Sequence, residues 1–359
     1  MNQSLPSTAT PGSAPDFQRP LIGYSSPAVP REILYAAGCR PFFLGNSDAP
    51  VSAANEFLEA EFFGPRSYLL FHEISLGSAR QFRALILSRT TEQEYKLYLY
   101  LRELQRTSRI SSSAEIYIFN LLQTAGDRVR AYSLTQIGRL LQAAKAWSGA
   151  DSGDEALLSA VQDGNLARKT LAEALKLRSH SQRATGCGVV NMVNAYYSLD
   201  PLDFCAYAKT WTAEWESQPQ LSRPRILLLG DIPSGGLLHA LVEAEDAVVS
   251  VEDHWLGERA AVQPIDESPG LLAAIAGHSM QCAVTPRHHS RPQSELWLKQ
   301  MMDRVDAAVF FHGHSDSVEG WDYPWQSRVL TEHQKPFLRL RDLSESSRNT
   351  FKAFRERLS

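Results

Sequence analysis

The stretch RPRILLLGDIPSGGLLHALVEAEDAVVSVEDHWLGER, residues 223–259, restricts the folds open to this chain more than any other. Residues 226–229 are an unbroken apolar run, the pattern of a strand buried on both faces. Gly230 ends the run, and Asp231, Pro233, Ser234, Gly235 and Gly236 form a short loop. Leu237, Leu238, Leu241 and Val242 then recur at helical spacing, and a second apolar run covers residues 247–251. Strand, crossover helix and strand in so short a span pair the strands in parallel. Parallel sheets gather ligands at the carboxyl ends of their strands. The loops that follow the strands are therefore where chemistry is sought.

The same plan recurs near the N-terminus. Residues 21–23 read as a strand, and Pro30, Arg31 and Glu32 open a helix with a proline and an acid at its positive end. Ile33, Leu34 and Ala37 form its apolar stripe, Gly38 stops it, and residues 41–44 are the next strand. Helices are expected at 55–63 and 65–76, and a buried strand at 82–87. The segment KLYLYLREL fits either period: Leu97, Leu99 and Leu101 alternate as in a strand, while Leu97, Tyr100, Leu101 and Leu104 share a helix face. The capping pair Thr91 and Glu94 selects a helix over 92–106. A strand at 115–121, a helix at 133–147 and a mostly helical region, capped by Asp154 and running to about residue 216, follow. Beyond a polar loop carrying Pro264 and Pro269 come a strand at 306–311, a helix at 325–333, a strand at 336–340 and a terminal helix at 344–358.

The fold class expected is α/β: two lobes with parallel sheets flanked by helices, joined by a mostly helical segment. The divisions are a disordered Ser/Thr/Pro/Ala-rich tail at 1–19, an N-terminal α/β lobe at 20–150, the helical segment at 151–222 and a C-terminal α/β lobe at 223–359.

A net charge of −4 supplies no basic field, so nucleic acid and anionic membranes are not expected partners. No apolar run approaches the ~20 residues that cross a bilayer, and a cytoplasmic location is the default expectation. Cys39, Cys187, Cys205 and Cys282 are widely spaced without a CxxC pair, as in a reducing compartment. Cys39, Cys205 and Cys282 read as structural, and Cys187, between glycines, as a thiol whose first role is packing.

Polar residues at strand ends are the site candidates. Thr91 follows the 82–87 strand, His254 the 247–251 run, and His312, His314, Ser315 and Asp316 the 306–311 strand. A divergent divalent-metal or substrate site and a plain solvated loop are both open for His312, His314 and Asp316. The loop of Asp231, Ser234, Gly235 and Gly236 precedes a helix and offers backbone N–H groups to an anion, although a tight turn explains it as well. His288 and His289 read as an exposed polar loop.

Five segments resemble, in order, the 2-hydroxyacyl-CoA dehydratase and benzoyl-CoA reductase family, and the chain looks like a D-component-type subunit. Pro30-Arg31-Glu32 with Ala36-Ala37-Gly38 and Pro41 is similar to the family's N-terminal P-E-hydrophobic-A-A-G-P signature. Tyr100-Leu101-Arg102-Glu103 follows in the expected place. Asp154-Glu155-Ala156-Leu157, Asn165, Arg168 and Leu177-Arg178 resemble its helical segment. Glu243, Ala247-Val248-Val249, Asp253 and Gly257-Glu258-Arg259 resemble E-x-x-G-A-V-V-x-D…G-x-R. Trp321-Asp322-Tyr323-Pro324 and Lys335-Pro336-Phe337-Leu338 resemble the C-terminal D-Y-P…I-P-x-L.

The resemblance implies a heterodimer, an acyl-CoA substrate, a [4Fe–4S] cluster held by cysteines at strand ends, and an ATP-dependent activator that supplies an electron. It places cluster ligands near Phe62-Phe63-Gly64-Pro65, after the 82–87 strand and after the 306–311 strand. None of the four cysteines stands there. The expectation is a subunit without a complete cluster of its own, paired with a cluster-bearing paralogue. The alternatives are a non-catalytic binding or regulatory protein on the same fold, or a repurposed enzyme in which His254, His312 and His314 bind a divalent metal.

Overall fold

The structure, a computed structural model, describes residues 19–45, 52–75, 82–89, 91–110, 112–122, 124, 126–231, 233–254, 257–261, 263–268, 270–281, 290–314, 316 and 318–358. The first half runs β1 (Leu21–Tyr24), α1 (Arg31–Ala36), β2 (Arg40–Phe43), α2 (Pro65–Ser75), β3 (Phe82–Ser88), α3 (Glu92–Arg106), β4 (Glu115–Phe119) and α4 (Asp127–Ser148). Three helices follow: α5 (Asp154–Ser179), α6 (Gly186–Ser198) and α7 (Pro201–Ser217). The second half runs β5 (Arg225–Gly230), α8 (Leu237–Ala244), β6 (Val248–Glu252), α9 (Leu271–Gln281), α10 (Arg291–Met301), β7 (Ala307–Phe311), α11 (Tyr323–Glu332), β8 (Phe337–Leu340) and α12 (Glu345–Arg355).

Both sheets are four-stranded, parallel throughout and identically ordered: β2-β1-β3-β4 and β6-β5-β7-β8. In each, the first strand of the lobe lies inside and the chain reverses direction of travel beside it. A crevice at the strands' carboxyl ends follows from that order. The apolar run of β5 is buried from Ile226 to Gly230, since helices cover both faces.

The ambiguous KLYLYLREL segment resolves on local chemistry. Thr91 caps α3, its side chain accepting the Glu94 N–H, which confirms the helix. Gly38 takes φ +75° just past α1, where a side chain would be strained. Three expectations need correction. Residues 55–63 are not an α-helix; only a 3-10 turn at Ser52–Glu56 forms there, and Leu58 and Phe63 bury as loop residues. Asp154 is not the cap of α5; Gly153 holds the cap position and Asp154 sits in the first turn, where its charge suits the helix dipole. The polar stretch after residue 259 contains α9, whose Ala and Gly content gives little amphipathic contrast.

Helix α9 joins the halves. Ile275 and Ala276 lie in one core with Ile22, Ile33, Ile137, Leu171 and Val193, so the first sheet and the helical segment share a core with an element of the second half. A separate core, including Leu227, Val251, Phe310 and Trp325, covers one face of the second sheet.

Candidate functional site

The segment EDHWLGER, which begins at the last residue of β6, supplies both carboxylates of a buried charge network. Glu252 is fully buried and is reached by Arg178 of α5 at 2.5 Å and by His239 of α8 at 2.9 Å. Arg178 also donates to Glu258 at 2.8 Å, and Glu258 accepts the Glu252 N–H. Burial alone would raise the Glu252 pKa, but His239 and Arg178 together hold its carboxyl far below the usual range. Glu258, with burial dominant, is raised. Gly257 must be glycine, because a Cβ there would overlap the Glu252 side chain. The last helical turn of α5 is thereby fastened to the carboxyl edge of the second sheet.

His254 emerges beside this network. Burial pushes its pKa down to about 3, so the ring is neutral, and the charges it senses include Arg66 at the start of α2. Arg66 in turn donates to the carbonyl of Ser25, just after β1, whose hydroxyl donates to Glu94 of α3. The carboxyl ends of β1 and β6, and the first turns of α2 and α3, thus meet at one polar seam.

A pocket of about 40 Å³ opens on the same side. Tyr24, Arg31 and Glu32 come from the first lobe, Arg168 and Tyr196 from the helical segment, and Arg259 and His278 from the second half. Glu32 is paired with Arg168, and both are almost fully buried. Arg31 lies over the Tyr196 ring, its guanidinium carbon 4.4 Å from the centroid. Burial first, and Arg168 second, push His278 down to about 4. Sequence reasoning named Arg31, Glu32, Arg168 and Arg259 only as pieces of motifs.

The candidates named from sequence are distributed differently from that pocket. Thr91 is committed to the α3 cap. Asp316 is a turn residue: Oδ1 accepts from the N–H groups of Val318 and Glu319, and Oδ2 from Gly320. His312 is buried, its Nδ1 accepts from Arg339 Nε at 3.0 Å, and its ring stacks on Phe310. Burial first, then Arg339, lower its pKa, and its buried Nε2 has no hydrogen-bond partner among the described residues. His314 is exposed. Ser315, Cys282, His288 and His289 lie outside the described residues.

Asp231 does converge with the end of β7: its N–H donates to the Phe311 carbonyl at 2.8 Å, and its carboxylate faces Gly313. Partial desolvation first, and the Asp316 carboxylate second, push it up to about 6. In the adjoining loop Gly235 and Gly236 both take positive φ, and Gly236 packs toward Val190 of α6, as a tight turn requires; this turn also contains Ser234. Among the described residues no group of three or more His, Cys, Asp or Glu side chains is arranged to hold a metal ion.

A thiolate-ligated cluster can be tested against the donors present. Cys39 lies ahead of β2, at the amino edge of the first sheet, with its thiol on the Ala144 carbonyl. Cys187 sits in the first turn of α6 beside Glu243, and Cys205 in α7 beside Thr170. Burial, the largest cause in each, raises all three thiols, Cys39 to about 11. A cluster needs thiolates converging at one point, and these three thiols do not fit that need. The loops at Gly64 and Thr91 do approach each other, but Gln93 fills the gap, its Oε1 accepting the Gly64 N–H at 2.9 Å.

Comparison with curated proteins gives no match. A solved structure described as the crystal structure of ZnuA aligns over 95% of this chain and 98% of its own at 12% identity, and its TM-score of 0.22 carries no argument. The family described as 2-hydroxyglutaryl-CoA dehydratase, D-component, matches residues 28–359, from just before the Pro30 turn to the last residue, and the chain belongs to that family.

Proposed function

We propose that the chain serves a 2-hydroxyacyl-CoA dehydratase or benzoyl-CoA reductase-like complex as a subunit without a complete [4Fe–4S] cluster of its own. It pairs with a cluster-bearing paralogue and shapes the acyl-CoA pocket from its side, while an ATP-dependent activator delivers the electron to the partner's cluster. The observation that carries this reading is the Gly64–Gln93 contact. Two loops that the family's pattern assigns to cluster ligands come together here around an amide, and the three described thiols stand elsewhere. The family match supports the dehydratase-type complex.

In this reading the chain's residues position and exclude rather than react. The Arg178, Glu252 and Glu258 network holds the strand-end crevice in one shape. His254, neutral and buried, adds no charge to it. A cluster's chemistry, one-electron transfer to a thioester, would come from the paralogue.

The test is reconstitution. Paralogue and activator are assayed anaerobically with a panel of 2-hydroxyacyl-CoA thioesters, with and without this chain. Turnover that requires the chain supports the reading. Full turnover without it, and no complex on co-purification, favours a non-catalytic binding protein on the same fold, for which the structural commitments of Thr91 and Asp316 already speak.

A further inference from the structure

The pocket between Arg31 and Arg259 has more positive charge than its neighbours cancel. Arg31, Arg168 and Arg259 line it, and Glu32 is the one carboxylate among the lining residues. Glu32 is paired with Arg168 and its charge also reaches Arg31, and Asp253 is paired with Arg259, which leaves three guanidiniums to two carboxylates. Arg31 is 7% exposed, donates to the Tyr196 carbonyl and packs on two tyrosine rings, and makes no ion pair among the described residues. The Arg259 side chain is also 7% exposed, and its Nη2 is buried without a hydrogen-bond partner among the described residues. A guanidinium cannot shed its proton, and a buried charge without a counter-charge is costly. Water in the pocket would not supply that counter-charge.

The geometry points to a small-oxyanion site here: a carboxylate or phosphate group held between Arg31 from the first lobe and Arg259 from the second half. Size fits that class. A water needs ~10–15 Å³ of such space, so about 40 Å³ admits a group of a few heavy atoms and not a nucleotide. Chemistry fits as well, because guanidinium forks match the two oxygens of a carboxylate or phosphate. His278 is held neutral by burial and does not compete for the anion. The site is lined from both halves of the chain, by Arg31 and by Arg259. This inference stands apart from the dehydratase reading, since it concerns binding by the isolated chain.

Isothermal titration of the full chain with sodium acetate and, separately, sodium phosphate, against sodium chloride of matched ionic strength, tests it. One saturable site for acetate or phosphate, absent with chloride, is expected, and the tighter of the two identifies the group as carboxylate or phosphoryl. Arg259→Gln should weaken it at least ~10-fold, the scale of one charge-assisted hydrogen bond, and Arg259→Lys should weaken it less. Arg31→Gln is a second probe wherever circular dichroism shows it folded. No saturable heat with either anion, or unchanged affinity in folded Arg259→Gln, would overturn the proposal.

Discussion

Glu252→Gln is the most informative single change, because it keeps the shape of the β6 terminus and removes one charge from its centre. In the native protein Glu252 is fully buried, accepts from Arg178 at 2.5 Å, and meets His239 at 2.9 Å. Breaking a buried ion pair by neutralising one partner costs ~3–5 kcal/mol, since the other charge stays in a low-dielectric site. Arg178 retains Glu258 at 2.8 Å, which places the cost at the lower end, about 3 kcal/mol. Against the ~5–15 kcal/mol by which folded domains are held, that is a large fraction. Urea unfolding at neutral pH, followed by circular dichroism, measures it as a shift in midpoint at unchanged slope. The sign with pH is fixed as well. The folded-state pKa lies below the ordinary 4.5, so this contribution is fully present above the unfolded value and is lost as pH falls through the folded one. Arg178→Met leaves two carboxylates facing without their cation and should cost more than Glu252→Gln. The double variant should cost less than the two losses added. A Glu252→Gln protein within about 1 kcal/mol of wild type would refute the reasoning and make the network a solvated one.

Gly164→Ala places a Cβ 2.6 Å from Glu32 Oε1, so it should destabilise by ~1–3 kcal/mol in thermal or urea unfolding by displacing the Glu32–Arg168 pair. His254→Gln should flatten the acid limb of the stability curve. The native ring resists protonation down to about 3 while the unfolded ring takes a proton near 6.5, so stability rises with pH between those values and the variant loses that rise. Asp231 has the opposite sign: its folded pKa of about 6 exceeds the unfolded 3.8, so ionising it lowers stability as pH rises through that window. Asp231 keeps solvent contact, which limits the effect, and an NMR titration should show the raised midpoint fall in Asp316→Asn. Asp316→Ala should loosen the 318–320 turn, costing ~1–3 kcal/mol for three lost acceptor contacts and speeding amide exchange at Val318, Glu319 and Gly320.

Much of the fold was legible because buried parallel strands write themselves as apolar runs. The runs at 226–229 and 306–311 locate β5 and β7 to within a residue. The Thr91–Glu94 cap decided α3 where hydrophobic period could not. Residues 55–63 misled because Leu58 and Phe63 bury from a loop, which apolar spacing alone cannot distinguish from a helix face. Helix α9 was missed for the converse reason, being packed through alanines and glycine without a polar stripe to mark it. The site was less legible still. His312 and Asp316 stand out in sequence by residue type and position, yet the structure spends them on Arg339 and on a turn. The pocket's arginines come from three distant segments, and no local pattern announces that they meet.

The central claim is that this D-component family chain carries no complete cluster by itself. The direct measurement is iron and acid-labile sulfide content, with EPR of the dithionite-reduced sample, on the chain purified anaerobically alone and after co-expression with a cluster-bearing paralogue. The account predicts substoichiometric iron and no cluster signal from the chain alone, and a [4Fe–4S] signal only in the complex, at the paralogue's stoichiometry. A stoichiometric cluster on the chain alone would contradict it.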